Sequence, residues 1–268
     1  MPPSIAHTPF PATDAQAVVV SIVSHGHGAC VQGLLQQLAH YSAERVRRVV
    51  LTLNIPEAEP VAPPQGWPFA LELLRNSRPR GFGANHNLAL KGATEPWLCV
   101  LNPDVQLLGS DPFAALVRAG AGAGVGCAYP VQVDAQGQLQ DSERALPTPG
   151  ALLRRRLLGR TERRRDWVNA ACLLLPRAAW EQLGGFDERY FMYCEDVDLC
   201  LRLRLLGLAL VRADAKVLHT GARASRRQWR HLRWHVRSLL RLWRSPVYRQ
   251  ARQLLQTDTG PTGSIGSP

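Results

Sequence analysis

The chain has 268 residues, of which 46% are hydrophobic, and this suffices for one large α/β domain with a packed core. Its six cysteines include no CxxC pair and no metal-ligand spacing, which argues against a zinc domain and favours reduced, buried thiols. No apolar run approaches the ~20 residues of a membrane span, and the N-terminus lacks the basic and apolar regions of a signal peptide. These features predict a cytoplasmic protein.

The formal net charge of +11 is concentrated in two arginine-rich segments. The first spans residues 154–165, and the second, from Arg223 to Arg252, contains ten arginines and no acidic residue. Local positive patches of this kind indicate a partner with negative charge. Anionic lipid, nucleic acid and a phosphorylated substrate all meet that requirement.

The first half of the chain alternates between strand and helix patterns. Strands are predicted over residues 17–24, 46–53, 69–74 and 97–101, and helices over 29–42 and 85–91, with a proline-rich loop over 55–68. This alternation predicts a doubly wound, mostly parallel, Rossmann-like α/β sheet with helices on both faces. Ligands bind such sheets beyond the carboxyl ends of the strands, so Ser24, Asn54 and Asp104 are expected to converge on one crevice.

The second half has a less regular pattern. Strands are predicted over residues 128–133, 167–175, 208–212 and 217–219, helices over 176–183 and 196–206, and a basic, loop-rich segment over 144–166. Gly184-Gly185 ends the first of these helices, and Gly207 ends the second. The last residues, 260–268, are rich in glycine, serine and proline, which is typical of disorder.

Residues 226–244 form a candidate C-terminal amphipathic helix that ends before Pro246. Its arginines form one stripe, and its apolar residues cluster beside them at helical periodicity: Trp229, Leu232, Val236, Leu239, Leu240 and Trp243. A helix of this type can lie on an anionic bilayer. It can equally pack Trp229 and Trp243 on the main domain with its arginines solvated, and the two arrangements are compatible.

Asp104 follows the fourth predicted strand, in the segment Asn102-Pro103-Asp104. A carboxylate at the end of a buried strand is well placed to hold Mg²⁺ against substrate phosphates. Asn-Pro-Asp is also a common turn sequence, and the tripeptide taken alone favours a turn over a metal site. His219 ends a later predicted strand, and a lone histidine there is either structural or a ligand.

Three acidic residues fall within four positions at the predicted start of a helix: Glu195, Asp196 and Asp198. Capping and the helix dipole favour acids at a helix N-terminus, and they account for one or two of these. They do not account for the whole acid-rich segment, defined here as Gly185 to Asp198. A carboxylate in this segment, beside a nucleophilic hydroxyl, can act as a general base.

Residues 76–87 combine asparagine, arginine and glycine directly before and within a predicted helix. Glycines let a ligand approach the backbone closely, and a helix N-terminus attracts phosphate. The spacing is not GxGxxG, which argues against a dinucleotide site. A plain loop is the alternative for this stretch.

Together these segments resemble family 2 glycosyltransferases, especially bacterial rhamnosyltransferase-like members, over residues 17–240. The acid-rich segment is the most specific match. The other matches are Ser24-His25-Gly26 after the first strand, the run from Asn76 through Gly81-Phe82 to Asn87, Asn102-Pro103-Asp104 in place of the family's metal motif, and His219.

Three departures from the family pattern stand out. Leu53-Asn54 occupies the place of the usual Asp-Asn pair, which affects recognition of the donor base. His25-Gly26 replaces the commoner aromatic-Asn pair. The metal motif has one carboxylate instead of two, so His219 or water must complete the metal shell. Because of these departures, a catalytically degenerate protein with the same fold is an alternative.

The resemblance implies a GT-A fold and an inverting single displacement in which a sugar moves from a nucleotide diphosphate to an acceptor hydroxyl. Asp196 is the implied general base, with Glu195 as the close alternative, and Mg²⁺ or Mn²⁺ is implied at Asp104 and His219. The implied donor-binding residues are Ser24, Asn54, Arg80, Gly81, Asn87, Asn102 and Asp104. The implied acceptor-binding residues are Trp167, as a stacking platform, and Asn169, Gly185 and Asp187.

A dTDP- or UDP-sugar, with dTDP-L-rhamnose as the first candidate, is the implied donor. The implied acceptor is a lipid-linked glycan of a cell-surface polysaccharide. We expect a cytoplasmic protein, peripheral on the inner face of the plasma membrane, without a nucleic-acid partner. The rivals are a nucleic-acid-binding protein that uses the arginine-rich C-terminal segment, and a nucleotidyltransferase with the same nucleotide and metal needs.

The expected domain organisation has four parts. A flexible tail covers residues 1–15, the GT-A domain 16–222, a basic helical extension 223–254 and a disordered tail 255–268. Within the domain, residues 16–105 form the nucleotide-binding half and residues 106–222 the acceptor half.

Overall fold

A computed structural model describes residues 15–158, 164–219 and 229–257. The strands are β1 (Val18–Ser24), β2 (Val46–Leu53), β3 (Ala70–Arg75), β4 (Trp97–Leu101), β5 (Val105–Leu107), β6 (Val125–Val133), β7 (Glu143–Arg144), β8 (Trp167–Val168), β9 (Cys172–Pro176) and β10 (Ala209–His219). The helices are α1 (Gly28–Tyr41), α2 (Phe82–Leu90), α3 (Pro112–Gly120), α4 (Pro149–Leu158), α5 (Arg177–Leu183), α6 (Glu195–Leu205), α7 (Trp229–Arg244) and α8 (Pro246–Thr257). The predicted tail 1–15, apart from Ala15, and the predicted helical residues 226–228 lie outside the described residues.

Eight strands form one sheet in the order β3-β2-β1-β4-β9-β6-β10-β5. The strands β3, β2, β1 and β4 are mutually parallel, as are β6 and β10, whereas β9 and β5 run antiparallel to their neighbours. The predicted mostly parallel, doubly wound α/β sheet is confirmed. The carboxyl ends of β1, β2, β3, β4 and β10 consequently lie along one edge of the sheet.

Helices cover both faces of the sheet because successive side chains of each strand point to opposite sides. On β1, Val18, Val20 and Ile22 pack with residues of α1 and α3. Val19 faces the other side, where the core is built with α2, α5 and α6. The prediction of helices on both faces is therefore confirmed.

The prediction of one strand over residues 167–175 is wrong. The chain leaves β8 after Val168 and enters the main sheet only at Cys172. β8 pairs with β7 in a separate two-stranded sheet, and Asn169 N donates to Ser142 O at 3.0 Å. The run is broken because its two ends pair with different partners, which local periodicity cannot show.

Two other parts of the second half differ from the sequence pattern. The segment expected to be loop-rich, residues 144–166, contains α4 and begins at the last residue of β7. The two short strands expected near the end of the domain belong to one strand, β10, whose register against β6 shifts between Arg212 and Lys216. The irregularity absorbs residues that do not follow a strand pattern, so pairing continues on both sides of it.

The C-terminal part of the described chain consists of two helices. α8 packs against α6, and its buried residues Tyr248 and Ala251 join the core together with Leu242 of α7. α8 also includes residues 255–257, which the composition places in a tail. Across residues 15–158, 164–219 and 229–257, no helix has the length and apolar character needed to cross a membrane.

Candidate functional site

Glu57 joins the loops that follow β1 and β2. Its carboxylate accepts hydrogen bonds from Ser24 Oγ at 2.8 Å and from Gly26 N at 3.1 Å. Ser24 is fully buried, and its Oγ also accepts a hydrogen bond from His27 N at 3.2 Å. A cavity of about 310 Å³ lies beside Glu57, between the start of α1 and residues 57–60, and is at the lower end of the range for small-molecule sites. Glu57 therefore holds the turn after β1 in shape.

Asn54, at the end of β2, organises the loop that follows β3. Its side-chain oxygen accepts hydrogen bonds from Arg80 N and Asn76 Nδ2, both at 2.8 Å, and its Nδ2 donates to Arg80 O at 3.1 Å. Asn76 Nδ2 also donates to Asn85 Oδ1 at 2.7 Å. The amide of Asn54 thus positions the loop between β3 and α2, which contains the predicted donor-binding residues Arg80 and Gly81. The Arg80 guanidinium forms no ion pair with any described residue.

The loop after β3 lies directly against the acid-rich segment. Phe82 N donates to Phe191 O at 3.0 Å, and a Cβ on Gly81 would lie 2.9 Å from Phe191 Cα. On α2, the Asn87 side chain accepts a hydrogen bond from Phe186 N at 2.8 Å and donates to Phe186 O at 2.9 Å. Gly81 and Asn87 therefore join the predicted donor side to the acid-rich segment, through Phe191 and Phe186.

Gly185→Ala is expected to lower the free energy of unfolding by about 2 kcal/mol or more, and Gly184→Ala by only about 1 kcal/mol. Both glycines have a positive φ, 75° and 69°, which strains any residue with a Cβ. A Cβ at Gly185 would also collide with the Asn87 side-chain oxygen, whereas no atom lies within 4 Å at Gly184. Denaturant unfolding of both variants measures the difference, and equal losses would contradict the Asn87 constraint.

Two acids of the acid-rich segment are held in ion pairs. Asp198 is buried and accepts a hydrogen bond from Arg202 Nε at 2.7 Å. Asp187 pairs with Arg189 at 2.6 Å. Burial acts to raise the pKa of Asp187, but the hydrogen bonds and charge of Arg189 outweigh it, so that the pKa is lowered. Asp198 is thereby a structural acid, and the charge of Asp187 is matched locally.

Glu195 and Asp196 form a close acidic pair at the start of α6. Tyr193 and Cys194, directly before them, have positive φ values of 71° and 67°, which few residues with side chains adopt. Glu195 is 6% exposed, and burial together with the neighbouring Asp196 charge raises its pKa to about 8. Burial also raises the pKa of the half-buried Asp196, but the hydrogen bond from Val197 N–H and the Arg144 charge oppose that rise. This arrangement favours the proton on Glu195 and the negative charge on Asp196.

Glu195→Gln is expected to flatten the pH dependence of stability between about pH 4.5 and pH 8. In this window the folded protein keeps the Glu195 proton and the unfolded chain releases it, so the contribution of Glu195 to the free energy of unfolding falls as the pH rises. Below this window Glu195 is protonated in both the folded and the unfolded chain, so it does not change the free energy of unfolding with pH. Urea unfolding of the wild type and the variant at several pH values measures the slope. An identical slope in both proteins would rule out a raised pKa at Glu195.

Helix α7 packs on the residues that precede the acidic pair. Ser238 Oγ donates to Met192 O at 2.8 Å. The Tyr193 hydroxyl forms a hydrogen bond with His231 Nδ1 at 2.9 Å. The left-handed backbone before the acidic pair is therefore held by a separate element, as strained conformations require.

Asp104 and His219 meet at the carboxyl edge of the sheet. The antiparallel pairing of β10 with β5 places His219 opposite Val105, and His219 Nε2 lies 3.4 Å from Asp104 Oδ1. Two atoms that are each about 2.1 Å from one ion lie about 3 Å apart, so these side chains fit a shared divalent cation after little movement. No cluster of three or more His, Cys, Asp or Glu residues suited to a metal occurs in the part of the chain that is described. The remaining ligands of such a cation would have to come from substrate phosphate or water.

The turn between β8 and β9 connects the Asp104 side of the site with the acidic pair. The backbone N–H of Asn102 donates to this turn at 2.8 Å, and Ala170 N–H forms a hydrogen bond with Asp196. Asn169, in the same turn, exchanges two side-chain hydrogen bonds with Gln132, at 2.6 and 3.1 Å. Asn102 and Asn169 thus lie beside the candidate site and hold the turn that borders Asp196.

The prediction that Trp167 stacks on a sugar is wrong. Trp167 is 7% exposed and belongs to the core. Its indole N–H donates to Ala145 O at 2.8 Å, and the Arg144 guanidinium lies 5.3 Å from its ring centroid. A buried ring with a cation over one face has no room for a ligand.

Sequence patterns do not identify Glu57, Arg144 or the α7 residues that contact the acid-rich segment. Glu57 lies in the proline-rich loop, and Arg144 lies in a segment without clear periodicity. One signal was available for Glu57, because it is a carboxylate three residues after Asn54, close to the strand end where the resembled family carries an acid. No comparable signal exists for Arg144, since only the fold brings its charge near Asp196.

Comparison with known proteins identifies rhamnosyltransferases as sequence relatives and a mannosyltransferase as a structural relative. No protein-family model matches the chain. The N-acetylglucosaminyl-diphospho-decaprenol L-rhamnosyltransferase of Mycobacterium tuberculosis is 33% identical over 258 residues, covering 84% of this chain and 83% of that protein. Rhamnosyltransferase WbbL of Escherichia coli is 38% identical over 78 residues, covering 28% and 30% of the two chains. The mannosyltransferase PcManGT of Pyrobaculum calidifontis, solved with GDP-Man and Mn²⁺, has a TM-score of 0.58 at 16% identity, covering 92% of this chain and 76% of that one, and shares the fold.

Proposed function

Because the chain belongs to the rhamnosyltransferase-like family 2 glycosyltransferases with the GT-A fold, we propose that it transfers L-rhamnose or a similar sugar from a dTDP- or UDP-sugar to a lipid-linked glycan. The acceptor class is supported by the mycobacterial relative, whose name specifies a diphospho-decaprenol acceptor. The product would serve the synthesis of a cell-surface polysaccharide. A lipid-linked acceptor is held in a bilayer, so the proposal includes a peripheral position on the inner face of the plasma membrane.

The contact between Gly81 and Phe191 is the observation that carries the proposal. It joins the loop after β3, which is suited to a donor phosphate, to the segment that bears the acidic pair. A single displacement requires the attacking hydroxyl, its base and the leaving diphosphate to be held in one crevice. The contact supports the proposal because it brings together two segments that are far apart in the sequence.

Asp196 is the proposed general base. Its carboxylate accepts the proton of the acceptor hydroxyl while that oxygen bonds to the anomeric carbon. The nucleoside diphosphate departs with the electrons of the broken bond from the opposite face, which inverts the configuration. The nearby Arg144 favours the ionised form of Asp196, and a protonated Glu195 avoids a second negative charge beside it.

The donor diphosphate is proposed to lie between Arg80 and the pair of Asp104 and His219. Arg80 has no ion pair within the described residues and directly precedes the N-terminus of α2, which favours anions. Asp104 and His219 would hold Mg²⁺ or Mn²⁺, which would stabilise the charge that develops on the leaving diphosphate. Ser24 and Glu57 shape the turn after β1, the strand between β2 and β4 in the sheet, and the cavity next to Leu53 lies beside this turn.

A thermal-shift screen of sugar nucleotides with and without Mn²⁺ tests donor and metal together. A ligand that binds only the folded state raises the melting temperature, by an amount that grows with its affinity. We expect dTDP-L-rhamnose with Mn²⁺ to give a larger shift than either alone, and Asp104→Ala to lose the part that depends on Mn²⁺. Asp214→Ala, at an exposed acid on β10, is the matched control.

The possible outcomes separate the two parts of the proposal. The absence of a shift with every sugar nucleotide would contradict glycosyl transfer by this chain. Equal donor shifts in the wild type, in Asp104→Ala and after chelation would contradict the metal role alone.

A further inference from the structure

Helix α7 presents three different faces. One face is anchored to the domain, where Ser238 and Leu242 are buried. Only two of the apolar residues that the sequence pattern groups together lie on this side of α7. Leu239 and Trp243 pack against the core, and Trp243 Nε1 donates to Pro147 O at 2.7 Å.

The second face of α7 carries large apolar side chains that are exposed to solvent. Trp229 is 83% exposed, and the exposure of the other three lies between 40% and 48%: Leu232, Val236 and Leu240. These residues recur at helical spacing, so they form a continuous stripe along the outside of α7. A contiguous exposed apolar stripe marks an interaction surface, whereas a single exposed leucine does not.

A third face carries arginine. Arg233, Arg237, Arg241 and Arg244 lie beside the apolar stripe, and α7 contains no acidic residue. None of these four guanidiniums forms an ion pair with another residue of the described ranges. Their charge is therefore uncompensated next to exposed apolar surface.

We propose that the apolar stripe and the adjoining arginines of α7 form a docking surface for an anionic lipid bilayer. The combination fits the boundary of such a bilayer, where apolar side chains enter the acyl region and arginines remain at the anionic headgroups. A nucleic acid would satisfy the arginines but would leave Trp229 and Leu232 in water. The proposal rests on the proposed function, because a lipid-linked acceptor requires the site to work at a bilayer.

Docking through this surface would also set the position of the acidic pair relative to the bilayer. The anchored side of α7 contacts Met192 and Tyr193, directly before the acidic pair. One helix therefore separates the bilayer surface from the segment that bears the proposed base. A docked protein would hold Asp196 close to the headgroup region, where a glycan on a lipid carrier is presented.

Vesicle flotation of the full chain tests the proposal. The wild type is expected to float with phosphatidylcholine vesicles that contain phosphatidylglycerol and to stay unbound with pure phosphatidylcholine. Replacing two arginines by Arg233→Gln with Arg237→Gln should weaken binding roughly thirtyfold, because each arginine near an anionic surface contributes about 1 kcal/mol. Leu232→Ser with Val236→Ser should weaken binding at high salt as well as at low salt, since the apolar contribution is not screened.

Arg118→Gln with Arg177→Gln is the matched control, because it removes the same charge from α3 and α5. Equal loss of binding in this control, equal binding to the two vesicle types, or stronger binding to duplex DNA that is insensitive to Leu232→Ser would each overturn the proposal. Sugar transfer to a water-soluble acceptor is measured in parallel. Flotation without transfer would count against the proposed function alone, and transfer without flotation would count against the docking surface alone.

Discussion

Asp196→Asn is expected to lower the turnover number of sugar transfer by about 10²–10⁴-fold, while the affinity for the donor stays unchanged. The amide has nearly the same volume as the carboxylate and can keep the hydrogen bond from Val197 N, but it cannot take the proton of the acceptor hydroxyl. Transfer of labelled sugar gives the rate, and calorimetric titration with the sugar nucleotide gives the donor affinity. A parallel loss of both would indicate a structural role.

Glu195→Gln is the matched variant for this experiment. The wild-type Glu195 is held as the neutral acid at neutral pH, and a glutamine resembles that form in charge and shape. We therefore expect most of the transfer activity to survive. Full activity in Asp196→Asn together with a large loss in Glu195→Gln would reverse the two roles.

Asp198→Ala is expected to lower the free energy of unfolding by about 3 kcal/mol or more. The side chains of Asp198 and Arg202 are 2% and 20% exposed, so removal of the carboxylate leaves a guanidinium charge with little access to water. Arg202 also donates to Leu183 O at 2.9 Å and Gly185 O at 2.8 Å, which ties the ion pair to the turn before the acids. Denaturant unfolding measures the loss, and transfer assays at a temperature where the variant stays folded separate stability from chemistry.

Glu181→Ala provides the control for Asp198→Ala. It removes the acid of another helical ion pair with i,i+4 spacing, between Arg177 and Glu181, whose side chains are 43% and 62% exposed. Pairs of this kind contribute about 0.3–0.5 kcal/mol, because water screens both charges. A similar loss of stability in the two variants would mean that Asp198 is not a buried anchor.

The first half of the sheet could be predicted because its strands are marked by local composition. β1, β2 and β4 are rich in valine, leucine and other apolar residues and end at polar or turn-forming residues, and the structure confirms them within one or two positions. β5 has three residues and exists through its pairing with β10. The sequence predicts one strand across β8 and β9, because the apolar run does not show that its two ends join different sheets.

The candidate site shows the same division. Three carboxylates within four positions are conspicuous in any sequence, so the segment around Asp196 could be found without a structure. The difference between Asp198 and Asp196 could not be found in this way, because it depends on which arginine the fold places near each carboxylate. Asp198 forms an ion pair with Arg202. The charge of Arg144, which lies in the separate two-stranded sheet, acts to lower the pKa of Asp196.

Three features can be identified from local sequence patterns: the alternation of strands and helices, the carboxylates at the start of α6 and the arginine-rich helix near the C-terminus. Each of these is a pattern contained within one strand or a few helical turns. Only the folded chain shows that Asp104 lies beside His219, that Trp167 is buried under Arg144, and that the apolar residues of α7 divide between the core and solvent. These outcomes depend on contacts between elements far apart in the chain, and local periodicity carries no information about the partner that a side chain will meet.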